Sequence, residues 1–306
     1  MKSKLFTPIN IGAFDLEHRL VQEWPLAADP LDAAANQSMP CSGPLLSGGL
    51  VLHDPGALIW PAQTLPLDEF DRMESIWRNL MHQAKTSRQS PLARLRGDLT
   101  LQVPDQPDGI LALSQRDIER IIADYVDAAY RAKSSGFDGV ELDGSSGSIT
   151  DLFLMRTTNP RSDRYGGPIA QRLNFALELV DALTQVVGRD RVGIRLSPFP
   201  HGFDQERSQI YDKVLSSLRD QEIAYIHLEL TEHLSARVLN LALPAKALRG
   251  AYPGIFVASG QQSLPFAMEL VESRWADAVC FVNPVVDAQF LNELQQAQQG
   301  DPDPLN

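Results

Sequence analysis

The stretch from Gly136 to Phe199 constrains the fold more than any other part of the chain. A short apolar run, Gly139 to Leu142, ends in a polar, glycine-spaced loop. A long loop, a segment of helical period and a second apolar run, Val192 to Leu196, follow it. Strand, loop, helix and strand make one βαβ unit, and a crossover of that kind needs parallel strands in one sheet. The apolar runs are continuous rather than alternating, as in strands covered on both faces.

The same signal recurs along the chain. Eight strand-like runs are expected at Leu20–Leu26, Gly49–His53, Pro91–Leu95, Gly139–Leu142, Val192–Leu196, Tyr225–Leu230, Ile255–Ala258 and Ala278–Val282. Helix-period segments separate most of them: Asp68 to Lys85, Ser114 to Ser134, Ile169 to Val187, Gln205 to Asp220, Leu234 to Leu248, Ser263 to Ser273 and Val285 to Gln299. Ser114 followed by Asp117 is a capping-box-like start. Eight βα repeats with no linker rich in Gly, Ser or Pro predict one domain, residues 1–306, folded as a single (β/α)8 TIM barrel of class α/β. Ahead of it, Leu5 to Leu20 reads as a hairpin turning at Gly12 and Asp15, and the tail 300–306 is expected to fray.

Composition narrows the functional classes. A net charge of −12 argues against nonspecific nucleic-acid binding, which needs a basic footprint. Cys41 and Cys280 lie far apart with no metal-ligand spacing, so two reduced thiols in a cytoplasmic protein are the expectation. The N-terminus lacks an apolar h-region and no run of 18 apolar residues occurs, so neither secretion nor membrane spanning is expected. His227 and Glu229 share a strand face at spacing two, but no third metal ligand is evident, and no metal is assigned. A small-molecule substrate is expected, and the sequence leaves a homo-oligomer open.

The motifs then carry a resemblance. GFDGVEL with its glycine-spaced loop, TNPRSDRYGG, a helix opening on Gln171-Arg172, and VGIRLSP together resemble the old yellow enzyme family of FMN-dependent ene reductases. The likeness implies FMN as cofactor, NAD(P)H as reductant, and an N-terminal β-hairpin plugging the barrel floor. It implies flavin contacts at Arg195, Arg94 and Ala27, and phosphate contacts at Ser259, Gly260 and Asn283. The family's carbonyl-holding His and Asn correspond to Asp143 and Ser146, and its proton-donating Tyr to Ser148. An ionised Asp143 only accepts hydrogen bonds and would repel an enolate-like oxygen, and a serine is a poor acid beside a phenol. Ordinary ene reduction is therefore not expected, although Asp143, Ser146 and Ser148 remain the candidate catalytic set. Arg195 has a second reading as a salt bridge to Glu141, Asp143 or Glu229, and Arg94 as a pair to Asp or Glu. Asn159, Arg161, Asp163, Tyr165, Gly166, Gly167 and Arg172 are read as architectural.

Two further functions stay open at this stage. One is a flavin-free barrel acting as a lyase, isomerase or cyclase with Asp143 as acid/base. The other is a non-catalytic binding protein.

Overall fold

The structure, a computed structural model, describes residues 3–24, 47–53, 67–97, 110, 113–198, 205–230, 248–260, 263–282, 290, 293–294 and 296. An N-terminal antiparallel pair, β1 (Ile9–Ile11) and β2 (Phe14–Leu16), precedes eight strands. These are β3 (Leu20–Trp24), β4 (Leu50–His53), β5 (Ser90–Leu95), β6 (Gly139–Gly144), β7 (Val192–Leu196), β8 (Tyr225–Glu229), β9 (Phe256–Ser259) and β10 (Ala278–Val282). They close in sequence order, β10 pairing in parallel with both β9 and β3. The expected (β/α)8 barrel is the fold.

The described helices are α1 (Leu67–Thr86), α2 (Gln115–Ser134), α3 (Ile149–Leu154), α4 (Ile169–Arg172), α5 (Asn174–Val187), α6 (Gln205–Arg219) and α7 (Leu264–Glu272). The capping box forms: the Ser114 hydroxyl accepts from the Asp117 amide, and the Asp117 carboxylate accepts from the Ser114 amide at 2.9 Å. Two details differ from expectation. The segment from Ile169 to Val187 is two helices meeting at Leu173 rather than one. The loop after β6 also contains α3, which the Ser148 hydroxyl starts by accepting from the Asp151 amide. The expected helices 234–248 and 285–299 lie almost entirely outside the described residues.

Strand parity explains the continuous apolar runs. Ala93, Leu95, Val140, Leu142, Ile194, Leu196, Ile226 and Leu228 pack outward into one cluster with Ile121, Tyr125, Leu179 and Leu183 of α2 and α5. The alternate residues Val21, Leu50, Leu92, Tyr225, Val257 and Ala278 pack inward against Ile11, Phe14 and Leu16 of the hairpin. Those hairpin side chains are 3% exposed or less, so the hairpin closes the barrel's N-terminal end as an apolar plug.

Candidate active site

Toward the C-terminal ends of the strands the same inward positions turn polar. Glu23 on β3, Arg94 on β5, Glu141 and Asp143 on β6, and His227 on β8 are all buried there. Arg195 on β7 and Glu229 on β8 lie at the edge of this group, partly exposed. Register places Arg94 beside Glu141, and Arg195 between Asp143 and His227. Neighbouring strands therefore interleave their inward side chains in layers, as a closed barrel requires.

Glu23 is the hub of this interior. Its Oε1 accepts from Nη1 of Arg94 and, at 3.1 Å, from Nη1 of Arg195. Arg94 also donates from Nε to Glu141 at 2.7 Å, and Arg195 donates from Nη2 to Glu229 at 2.6 Å. Burial alone would raise the Glu23 carboxyl, but the Arg94 guanidinium outweighs it, Arg195 adds to the effect, and the group is held well below the ordinary carboxylate range. Glu141 behaves alike: burial raises it, and Arg94 and His227 hold it far down. Both are therefore acceptor-only carboxylates, and Glu141 takes Tyr225 Oη and His227 Nδ1, each at 2.9 Å, on its second oxygen.

The loop after β6 brings the three candidate catalytic residues to the rim. The Asp143 carboxylate accepts from the Ser145 amide at 3.0 Å and lies 3.5 Å from Nε of Arg96, a side chain that is mostly exposed. Ser146 is exposed, and its backbone amide donates to Ser197 Oγ at 3.0 Å. Ser148 is buried, and its oxygen caps α3.

On β9, Ser259 is buried and its hydroxyl has no hydrogen-bond partner among the described residues. Gly260 has φ +149°, and a Cβ there would collide with the Leu230 carbonyl, so close strand packing is one reason for glycine at this place. Ala27 and Asn283 lie outside the described residues.

The paired reading of the two arginines is thus met, but with a partner that sequence reasoning missed. For Arg195 the expected counter-charge was Glu141, Asp143 or Glu229, and Glu229 is a partner, as Glu141 is for Arg94; Glu23, which joins both guanidinium groups, was not expected. Its signal was one acidic residue at inward parity in the otherwise buried run Leu20 to Glu23. Cys280 is a second missed residue, buried with its Sγ 3.7 Å from Glu23 Oε2.

The architectural residues hold the loop between α3 and α4. Asn159 donates to the carbonyls of Phe153 and Tyr165 at 2.6 and 2.7 Å. Arg161 pairs with Asp163 and donates to the carbonyls of Ile110 and Leu113. A Cβ on Gly166 would strike the Arg161 carbonyl.

Residues 81–298 match the model of the NADH:flavin oxidoreductase / NADH oxidase family. The 12-oxophytodienoate reductase 7 of Oryza sativa subsp. japonica is 32% identical over 222 residues, covering 63% of this chain and 56% of that protein. A probable inactive dehydrogenase of Claviceps fusiformis is 40% identical over 127 residues, 40% of this chain and 33% of its own. The chain spans about half the length of the curated relatives it matches. In fold it is similar to morphinone reductase solved with tetrahydroNAD, with TM-score 0.70, 22% identity, and 98% of this chain and 93% of that one covered. The old yellow enzyme homologue of Zymomonas mobilis superposes with TM-score 0.73 at 21% identity, over 97% and 93% of the two chains.

Proposed function

Because this chain belongs to the NADH:flavin oxidoreductase / NADH oxidase family, we propose that it is a flavin-barrel oxidoreductase acting on a small-molecule acceptor other than a simple activated alkene. The observation that carries the reading is a set of unspent donors. Nη2 of Arg94, Nε of Arg195 and Oγ of Ser259 are buried and have no hydrogen-bond partner among the described residues. Buried donors left unpaired are costly; the carbonyl and imine edge of a flavin would satisfy the two arginine donors, and its phosphate the Ser259 hydroxyl. FMN, when bound, supplies hydride transfer between NAD(P)H and the acceptor.

The chain's own residues divide the remaining tasks. Arg94 and Arg195 orient the ring, and Glu23 fixes both guanidinium groups so that little side-chain freedom is lost on binding. Ser259, Gly260 and Asn283 hold the phosphate end, with Ala27 against the ring. Asp143 is the acid/base beside the acceptor, Ser146 at the rim orients the substrate, and Ser148 supports Asp143 through the helix it caps. An acceptor carrying a cation or a donor group suits a carboxylate at this place, whereas a developing oxyanion does not.

A second reading rests on a different observation. Both arginines are already neutralised by carboxylates, which favours a flavin-free barrel with Asp143 as acid/base. The visible spectrum of protein purified without added cofactor, followed by FMN titration, separates the two. The oxidoreductase reading expects a yellow protein or saturable FMN uptake that Arg195→Met abolishes. A colourless chain that takes up no FMN overturns it and leaves the flavin-free reading, in which Asp143→Asn should remove turnover from a folded protein.

A further inference from the structure

One group of atoms in the barrel interior is not used by the reading above. Glu23, His227 and Cys280 come from β3, β8 and β10, are all buried, and each offers a ligand atom within 4.8 Å of the other two. We propose that they form a binding site for one divalent transition-metal ion of the zinc type, held by Glu23 Oε2, His227 Nε2 and Cys280 Sγ, with a fourth position for a small ligand.

Each ligand atom is available. The arginines use Oε1 of Glu23, while Oε2 faces Cys280 Sγ at 3.7 Å. His227 Nδ1 sits 2.9 Å from Glu141 Oε2, which leaves the other ring nitrogen, Nε2, as the one to meet a ligand. That Nε2 is fully buried and has no partner among the described residues. A carboxylate behind the far nitrogen of a histidine is the arrangement that orients and strengthens histidine ligands in metal sites.

Geometry and charge agree. Bonds of about 2.0 to 2.3 Å in a tetrahedron put neighbouring ligand atoms roughly 3.3 to 3.8 Å apart, and the sulfur-to-oxygen distance here is 3.7 Å. Among the described residues, the carboxylates of Glu23, Glu141, Asp143 and Glu229 face three guanidinium groups, Arg94, Arg195 and, from the rim, Arg96, which leaves one negative charge over. A Cys280 thiolate would add a second, which a divalent cation balances. One sulfur, one imidazole and one carboxylate suit zinc or cobalt and not calcium or magnesium.

Untagged chain, stripped over chelating resin, is to be dialysed against Zn2+ alone and separately against Co2+. The expected result is one Zn2+ per chain surviving gel filtration and a thiolate-to-cobalt charge-transfer band. Both should vanish in Cys280→Ser and His227→Ala and persist in Cys41→Ser. Glu141→Gln should weaken Zn2+ binding about 10- to 100-fold. Cys280→Ser nearly conserves volume, so a folded variant with circular dichroism like the parent keeps the test informative. A parent chain that retains no Zn2+, or a Co2+ spectrum unchanged in Cys280→Ser, overturns the assignment.

Discussion

The two ends of the barrel are built on opposite principles. At the floor, Val21, Leu50, Leu92, Val257 and Ala278 meet the hairpin residues Ile11, Phe14 and Leu16, and the interior is filled by apolar volume. At the mouth, the same inward parity on β3 and β5 to β8 carries Glu23, Arg94, Glu141, Arg195 and Glu229, joined by directed ion pairs. The difference separates what keeps the chain folded from what it can do. An apolar floor tolerates conservative exchange, whereas in a buried charged layer each member depends on the others. Changes of chemistry can then gather at the mouth without loss of the barrel.

The largest expected effect tests that contrast directly. Glu23→Gln removes the charge facing two guanidinium groups and should cost about 3–5 kcal/mol, the scale for breaking a buried pair. Phe14→Ala at the floor should cost a similar ~3–5 kcal/mol by opening a cavity. Urea unfolding compares them, and a second exchange tells them apart. Arg94→Met placed on top of Glu23→Gln should cost less than the sum of the two single exchanges, because the two residues share one ion pair, while no exchange at the mouth should couple to Phe14→Ala. A Glu23→Gln cost below about 1 kcal/mol would mean that water reaches the layer and screens it.

A smaller effect belongs to a buried titrating group with no counter-charge among the described residues. His53, the last residue of β4, is buried near Phe137, and its Nε2 has no hydrogen-bond partner among the described residues. Burial lowers it from 6.5 to about 4. Between these values the unfolded chain binds the proton and the folded chain does not, so stability should fall as pH drops from about 6.5 toward 4, by at most ~3 kcal/mol. Thermal melts across that window should lose this component of the slope in His53→Gln.

The smallest effect concerns Ser148. As a helix cap alone, its replacement by Ala should cost about 1 kcal/mol. If Ser148 also supports the acceptor site through Asp143, kcat/KM should fall further than that loss of stability accounts for, once a turnover assay exists.

The architecture was legible because eight continuous apolar runs, each with turn residues behind it, leave few alternatives to a closed parallel sheet. The hairpin was legible from Gly12, whose positive φ of 58° the turn requires. Helix α3 was not, since six residues inside a polar loop show too little periodicity, and the break at Leu173 carries no proline or glycine. In the site, charged residues within apolar strands showed that something must pair, and Arg195 with Glu229 was among the pairs expected. Glu23 was missed because its partners lie two and four strands away around the barrel, a separation that no local spacing encodes. The same holds for Cys280, remote in sequence from Glu23 and His227 yet within ligand distance of both.

Gly193 has a consequence for how deep a ligand can go. It stands at inward parity on β7, and a Cβ there would run into the Tyr225 ring, which therefore lies across the space that a larger residue would fill. The buried ring belongs to the floor's apolar cluster, and its hydroxyl supports Glu141 above. One aromatic plane thus acts as a partition, apolar beneath and polar on top. The bottom of any chamber reached from the rim is set by the one residue on β7 that has no side chain.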